Sequence, residues 1–418
     1  MPKNDSTIPN PQLALHFFTE YGSLYLGAGG SAARLEEDIS RLGKKLGVHS
    51  EVFAVPTGIF VSCLNASGES QTTIVRIKEI SMNLGLLCAL EEILQDAYSG
   101  KIPLSRALRL LKSKIIHRPI YLYSTSVLAA FGCGFSLSFP AFGIFWAAVM
   151  SGLITVVAWW VSGPVLKNLV TTPIFRDFGG CVVTLALAGL AQLVLPGHIE
   201  ACSIGALILL VPGLSLTTAI VEIADHDLIS GTAKFMHALL TLLAMGIASV
   251  LFYDLALSLG YGLSFQEKRW IAPFFISALG IMTAVLCFGV LFKVPKRSLF
   301  WSSLTGMSGW FILRQFQNTP YFVSGAFFAS FVVGLISLLV SRAFKVPSQV
   351  YSVPGILAML PGMLALTSFR SFALGQELSG LELGFKVALT AGGIVFGLLS
   401  ARVPIHFLSH YTKYLKFK

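Results

Sequence analysis

Charge is what this sequence has least of. Asp, Glu, Lys and Arg make up 12% of its 418 residues, about half the ≈ 25% of an average soluble domain. The shortage is uneven. Residues 1–118 hold 13 of the 30 basic and 11 of the 20 acidic side chains, leaving 17 and 9 for the remaining 300 residues. That excludes a uniformly soluble protein and implies a soluble part joined to a lipid-embedded one. Cysteine is scarce as well. Cys63, Cys88, Cys133, Cys181, Cys202 and Cys287 form no C-x-x-C pair and have no His partner at ligand spacing, so no metal site is read from them and they are taken as small apolar residues. Motifs of common chemistry are missing too. Gly43-Lys44 is followed by Lys45, so there is no Walker A sequence, and neither H-E-x-x-H nor G-x-S-x-G occurs. ATP drive is therefore unsupported and no cofactor is implied. Gly27-Ala28-Gly29-Gly30-Ser31-Ala32 fits G-x-G-x-x-A, but the segment before it has helical spacing, where a dinucleotide site needs a strand. Met1–Asn10 is polar and contains Pro, and no signal peptide is read there.

Long apolar runs, by contrast, are abundant. They lie near 120–138, 141–161, 179–195, 200–221, 233–257, 270–292, 298–313, 321–341, 350–369 and 383–403, and most approach the ≈ 20 residues that span a bilayer core. Ten spans put both termini on one side. Thirteen Lys/Arg, from Lys114 to Lys418, fall in one set of alternate loops and only four (Lys268, Arg269, Arg314, Arg370) in the other. The positive-inside rule makes the richer side cytoplasmic, and with it both termini and residues 1–118. The same placement accounts for the net charge of +10, so a nucleic-acid partner is not expected. The lipid bilayer is.

The soluble part reads as α+β. Leu13, Phe17, Tyr21, Leu24 and then Leu35, Ile39, Leu42, Leu46 recur at helical spacing. Residues 51–56, 58–65 and 71–77 read as strands, with a turn at 66–68, and two further helices follow, one ending at Gly100 and one starting near Pro103. Arg34, Glu36, Glu37 and Asp38 crowd one helix start, close in sequence to Pro56-Thr57. Dipole-favoured acidic residues with a Glu37–Arg41 pair account for this cluster, as does an acid/base or regulatory cleft.

The informative signal is a repeat. Val211–Gly231 reads VPGLSLTTAIVEIADHDLISG and Leu360–Gly380 reads LPGMLALTSFRSFALGQELSG. Pro212/Pro361, Gly213/Gly362, Thr218/Thr367, Ser230/Ser379 and Gly231/Gly380 are all 149 residues apart. Each motif lies in the fourth of five spans. An odd-numbered unit repeated in tandem enters the membrane from opposite sides, so the expected fold is two inverted five-helix repeats, 119–260 and 261–418, with broken fourth helices. Such breaks free backbone polar groups, which lipid cannot satisfy, and they mark the substrate site of secondary transporters. A kink that only shapes packing is the alternative. The expected substrate contacts are Pro212, Gly213, Thr217, Thr218, Pro361, Gly362 and Thr367. Glu222 and Asp227 follow the first break, and their counterparts Ser371 and Gln376 are neutral, which makes them the candidates for proton coupling.

These sequences resemble the threonine/serine exporter family of bacterial inner-membrane proteins over nearly the whole chain. The resemblance rests on ARLEEDI (33–39), VPTGIFVS (55–62), PGLSLTTAI (212–220), DLISG (227–231) and SVPGILAMLPG (352–362). It implies export of small hydrophilic metabolites driven by the proton motive force, with threonine and serine as naming substrates and succinate associated with split relatives. Arg34, Glu36, Glu37, Pro56, Thr57, Pro212, Gly213, Thr217, Asp227 and Gly231 match its motif positions. Glu222 stands where the family usually has Asp, and Lys234 where it usually has Arg. The expectation is a transporter, not an enzyme, that exports amino acids and sits in the inner membrane. The rivals are a dicarboxylate exporter and a membrane-anchored hydrolase acting through residues 1–118. A homo-oligomer stays open.

Overall fold

The computed structural model describes residues 11–404 apart from 65–69, 79, 114–119, 171, 225, 260–271, 318, 358, 360–361 and 374. Pro361 and the expected turn at 66–68 therefore lie outside the described residues. The chain forms two compact units.

The first unit opens with helices α1 (Pro11–Gly27) and α2 (Ala32–Leu46), separated by a turn in which Gly29 has φ +87°. The segment before the Gly-rich turn is thus helical, which removes the βαβ context a dinucleotide loop requires. Strands β1 (Ser50–Val55), β2 (Gly58–Leu64) and β3 (Ser70–Arg76) make an antiparallel sheet in the order β1-β2-β3. Alternation decides its faces. Ile59, Val61 and Cys63 are buried, while Phe53, Phe60 and Ile74 are exposed on the other face. Helices α3 (Leu84–Ser99) and α4 (Leu104–Leu111) follow. The Asn83 side chain accepts from Leu86 N at 3.1 Å and so caps the start of α3, and Gly100 closes the helix at φ +77°. Residues 221–234 and 292–295 also belong to this unit. Leu84 N donates to Phe292 O at 3.0 Å.

The second unit is helical. In order come α5 (Tyr123–Phe142), α6 (Phe145–Trp160), a π-helical turn (Val161–Val165), α7 (Leu166–Leu169), α8 (Pro173–Ala191), α9 (Ile199–Leu210), α10 (Gly213–Ala224) and α11 (Leu228–Ser258). Then follow α12 (Phe274–Leu291), α13 (Lys296–Phe316), α14 (Phe322–Phe344), α15 (Gln349–Leu357), α16 (Gly362–Ala373) and α17 (Glu377–Ser400). Among the described residues, eight helices are long and apolar enough to cross a membrane. Of the ten expected spans, the run at 298–313 is helical as α13, whose Lys296, Arg297 and Arg314 lower its hydropathy, and that at 350–369 is divided between α15 and α16. Element positions repeat at the motif spacing. Helices α8, α10 and α11 start at 173, 213 and 228, and α14, α16 and α17 start at 322, 362 and 377, each 149 residues later.

Small residues let these helices approach closely, as association without a hydrophobic drive requires. A Cβ on Gly205 of α9 would overlap the Gly134 Cα of α5 and lie 2.9 Å from the Ser151 and Thr155 hydroxyls of α6. Ser138 Oγ donates to Ala201 O at 2.6 Å across the same contact. In the later helices, a Cβ on Gly355 of α15 would lie 3.6 Å from Gly306 N of α13. In both cases the helix leading into a break is held by glycine contacts.

Candidate functional site

The first break has a clear local cause. Pro212 disfavours α geometry at the residue before it, and Val211 is extended at φ −62°, ψ 127°. Helix α9 therefore stops and α10 restarts at Gly213, where Leu216 N donates to Pro212 O at 2.9 Å. Gly362 likewise begins α16. The two breaks lie against one apolar cluster, in which Val211 and Leu364 pack with Leu242, Phe369 and Val387. Two new helix N-termini thus lie beside shared packing, each presenting backbone amides that lack intrahelical acceptors. Thr217 is buried and donates to Gly213 O at 3.0 Å, and Thr218, half-buried, donates to Ser215 O at 3.1 Å. Their hydroxyl protons are committed to their own helix, which leaves the oxygens as acceptors. Thr367 is exposed on α16, and Ser371 Oγ donates to its carbonyl at 3.1 Å.

Glu222 and Asp227 lie in the α10–α11 elbow, within the first unit. Glu222 is buried. It is ion-paired to Lys234 and accepts from Ser230 Oγ at 3.0 Å. A buried carboxylate needs such partners, since an unpaired charge there is costly. Asp227 caps α11, with Oδ1 accepting from Ser230 N at 3.3 Å, and its own N–H donates to Glu222 O at 2.9 Å. Its Oδ2 is buried without a partner, an arrangement that stores unfavourable desolvation. His226 before it sits in the left-handed region at φ +67°.

The expected N-terminal cluster is rearranged. Arg41 pairs with Asp38 at 2.6 Å, not with Glu37, which is exposed. Asp38 lies on the buried face of α2 and draws the guanidinium inward. Arg34 reaches Glu91 on α3 at 2.7 Å. Burial pushes the Glu91 carboxyl up to about 7, against the opposing pull of Arg34. Tyr21 lies under this group, fully buried, with its hydroxyl unpartnered. Glu36 points elsewhere. It accepts from Ala54 N at 2.7 Å, and its pKa is raised by burial and by the charge of Asp227. Pro56 is buried and Thr57 exposed in the β1–β2 turn, where Thr57 O accepts from Ile77 N at 2.9 Å. The matched motif residues thus divide between an Arg34–Asp38–Glu91 network and a separate Glu36 position.

Two partnerships escaped the sequence reading. Glu91 lies 57 residues from Arg34, and no pattern links them. Asp177 on α8 accepts from Thr241 Oγ1 on α11 at 3.3 Å. The apolar run read as 179–195 leaves Asp177 outside, whereas α8 starts at Pro173 and takes it in.

A polytopic helical body with matched breaks and few ionisable groups has the features of a membrane transport protein. The threonine/serine exporter model ThrE matches residues 16–256, and a second model, described as Threonine/Serine exporter, ThrE, matches residues 277–403. The chain belongs to the threonine/serine exporter family, with both halves of the family in one polypeptide. No curated protein and no solved structure matches it.

Proposed function

We propose that this protein is a secondary exporter of small polar amino acids such as threonine and serine, driven by the proton motive force. The carrying observation is the pair of helix starts at Gly213 and Gly362, with Val211 and Leu364 beside them in one apolar cluster. Helix N-termini suit a substrate carboxylate, and the oxygens of Thr217, Thr218 and Thr367 suit an ammonium or hydroxyl group. Glu222 and Asp227 would couple the proton, Glu222 by exchanging its Lys234 pairing for a neutral, protonated state. The equal spacing of the helix starts supports two inverted repeats and ten spans. The side assignment gains independent support, because residues 1–120, 221–234 and 292–295 fold as one unit and are the segments that Lys/Arg counting puts in the cytoplasm. The inner membrane of a bacterium is the compartment this reading requires.

The test is flux in proteoliposomes under an imposed pH gradient. Uphill movement of labelled threonine or serine is expected. Movement of succinate alone would favour the dicarboxylate reading, and no gradient-driven movement of any of these would overturn proton-coupled export.

A further inference from the structure

Resting on that reading, we propose that Asp177 is a second proton-carrying carboxylate, inside the membrane body, held in place by the hydroxyl of Thr241. Asp177 lies in the second turn of α8, within a span of 19 apolar-rich residues. Ionisable side chains in such spans are costly and mark functional positions. It is held from α11. Thr241, fully buried, donates its hydroxyl to Asp177 Oδ2 at 3.3 Å, and His237, one turn earlier on α11, acts on the same carboxylate electrostatically. The remaining charged groups on the elements around α8 are few. Arg176 on α8 itself also acts on Asp177, α7 brings Lys167, α11 also carries Lys234 and Asp254, and α6 and the π-helical turn bring none. Glu200 belongs to the first turn of α9. His237 is exposed while Asp177 is half-buried and Thr241 buried.

The repeat supplies the contrast. At the 149-residue offset, Asp177 corresponds to Ala326, His237 to Lys386 and Thr241 to Thr390. Ala326 and Thr390 are buried, and Thr390 turns its hydroxyl back to Lys386 O at 2.7 Å. The Lys386 ammonium lies 5.6 Å from the centroid of the Phe322 ring. Basic group and threonine recur in both halves, but the carboxylate occurs in one. A hydroxyl that faces its own backbone in one half reaches across to a carboxylate in the other. At this repeat position, then, only the first half carries a group that can hold a proton as a neutral carboxyl.

The experiment uses the full chain in proteoliposomes with labelled threonine. Asp177→Asn is expected to lose accumulation against a gradient under an imposed pH difference, while exchange of labelled for unlabelled threonine persists. Asp177→Glu is expected to restore accumulation. Full accumulation by Asp177→Asn would overturn the inference. So would loss of both accumulation and exchange in Asp177→Asn and Asp177→Glu at an unchanged melting midpoint. If the unmodified protein accumulates nothing, the exporter reading itself has failed. If it accumulates threonine and Asp177→Asn does so equally, only this site has failed.

Discussion

Replacing Gly205 with alanine tests whether backbone contact between helices holds the strand of structure that leads into the first break. Alanine is the better helix former by about 1 kcal/mol, so propensity alone predicts stabilisation. The surroundings predict the opposite. The added methyl would overlap the Gly134 Cα and sit 2.9 Å from two hydroxyl oxygens, where carbon contacts need roughly 3.5–4.0 Å. Backbone atoms cannot rotate away, so α5 and α9 must part by about 1 Å or more on that spacing. The Ser138–Ala201 bond, 2.6 Å long, is stretched in the process, at about 0.6 kcal/mol for a typical bond within a membrane. Overpacking adds about 1–3 kcal/mol. After subtracting the propensity gain, the net loss is about 0.6–2.6 kcal/mol. Gly392 on α17 is the matched control, because nothing lies within 4 Å of a Cβ there; Gly392→Ala should be neutral or stabilising by up to about 1 kcal/mol. A thiol-reactive fluorophore in a thermal ramp reads the outcome, since Cys133 and Cys202 flank the contact and are buried. The midpoint should drop for Gly205→Ala and hold or rise for Gly392→Ala. Equal midpoints in the two variants would refute the packing argument.

Two further outcomes are expected. Replacing Pro212-Gly213 or Pro361-Gly362 with Ala-Ala removes residues that disfavour a continuous helix by about 3 and 1 kcal/mol, so the melting midpoint should hold or rise while flux per folded molecule falls; normal flux per folded molecule in both would remove the breaks from the substrate site. In the first unit, Glu91 keeps its proton up to about pH 7, against an ordinary value of 4.5. The folded state binds more protons than the unfolded one between those values, so this contribution is present at low pH and lost as pH rises through about 7. Hydrogen exchange of α1 and α3 amides in the full chain should therefore quicken beyond its intrinsic pH dependence across that window. Glu91→Gln should flatten the excess, and an unchanged excess in that variant would show that another group is responsible.

What could be read from the sequence was whatever is local. The helix ending at Gly100 has its left-handed cap there because only the residue pattern of that turn matters. The strands near 51–56, 58–65 and 71–77 followed from alternation, since one sheet face is buried and the other is not. Helix ends in the membrane part were less visible. Helix α11 starts at Leu228 and not near 233, because its first turns carry Ser230, Thr232 and Lys234, which a hydropathy reading discards. Charge partners were misassigned where two helical spacings competed: Arg41 had Glu37 and Asp38 within reach, and burial of Asp38 settled the matter. Partners between distant elements, Arg34 with Glu91 or Asp177 with Thr241, depend on how helices pack. A single sequence carries no record of that.

The make-up of the first unit also sets a timetable for assembly. Its N-terminal elements run only to Ile120, yet it includes residues 221–234 and 292–295. At about 5–20 residues per second, the ribosome delivers the last of these roughly 10–35 s after the first block emerges. During that interval the start of α3, whose Leu84 amide ends on Phe292, waits for a partner that arrives only after six transmembrane helices have been made. The unit therefore cannot be completed before residues 292–295 have been synthesised. Two polypeptides separated between residues 260 and 271 would still have to find each other to finish it, and residues 292–295 are the part of the second that the first is missing.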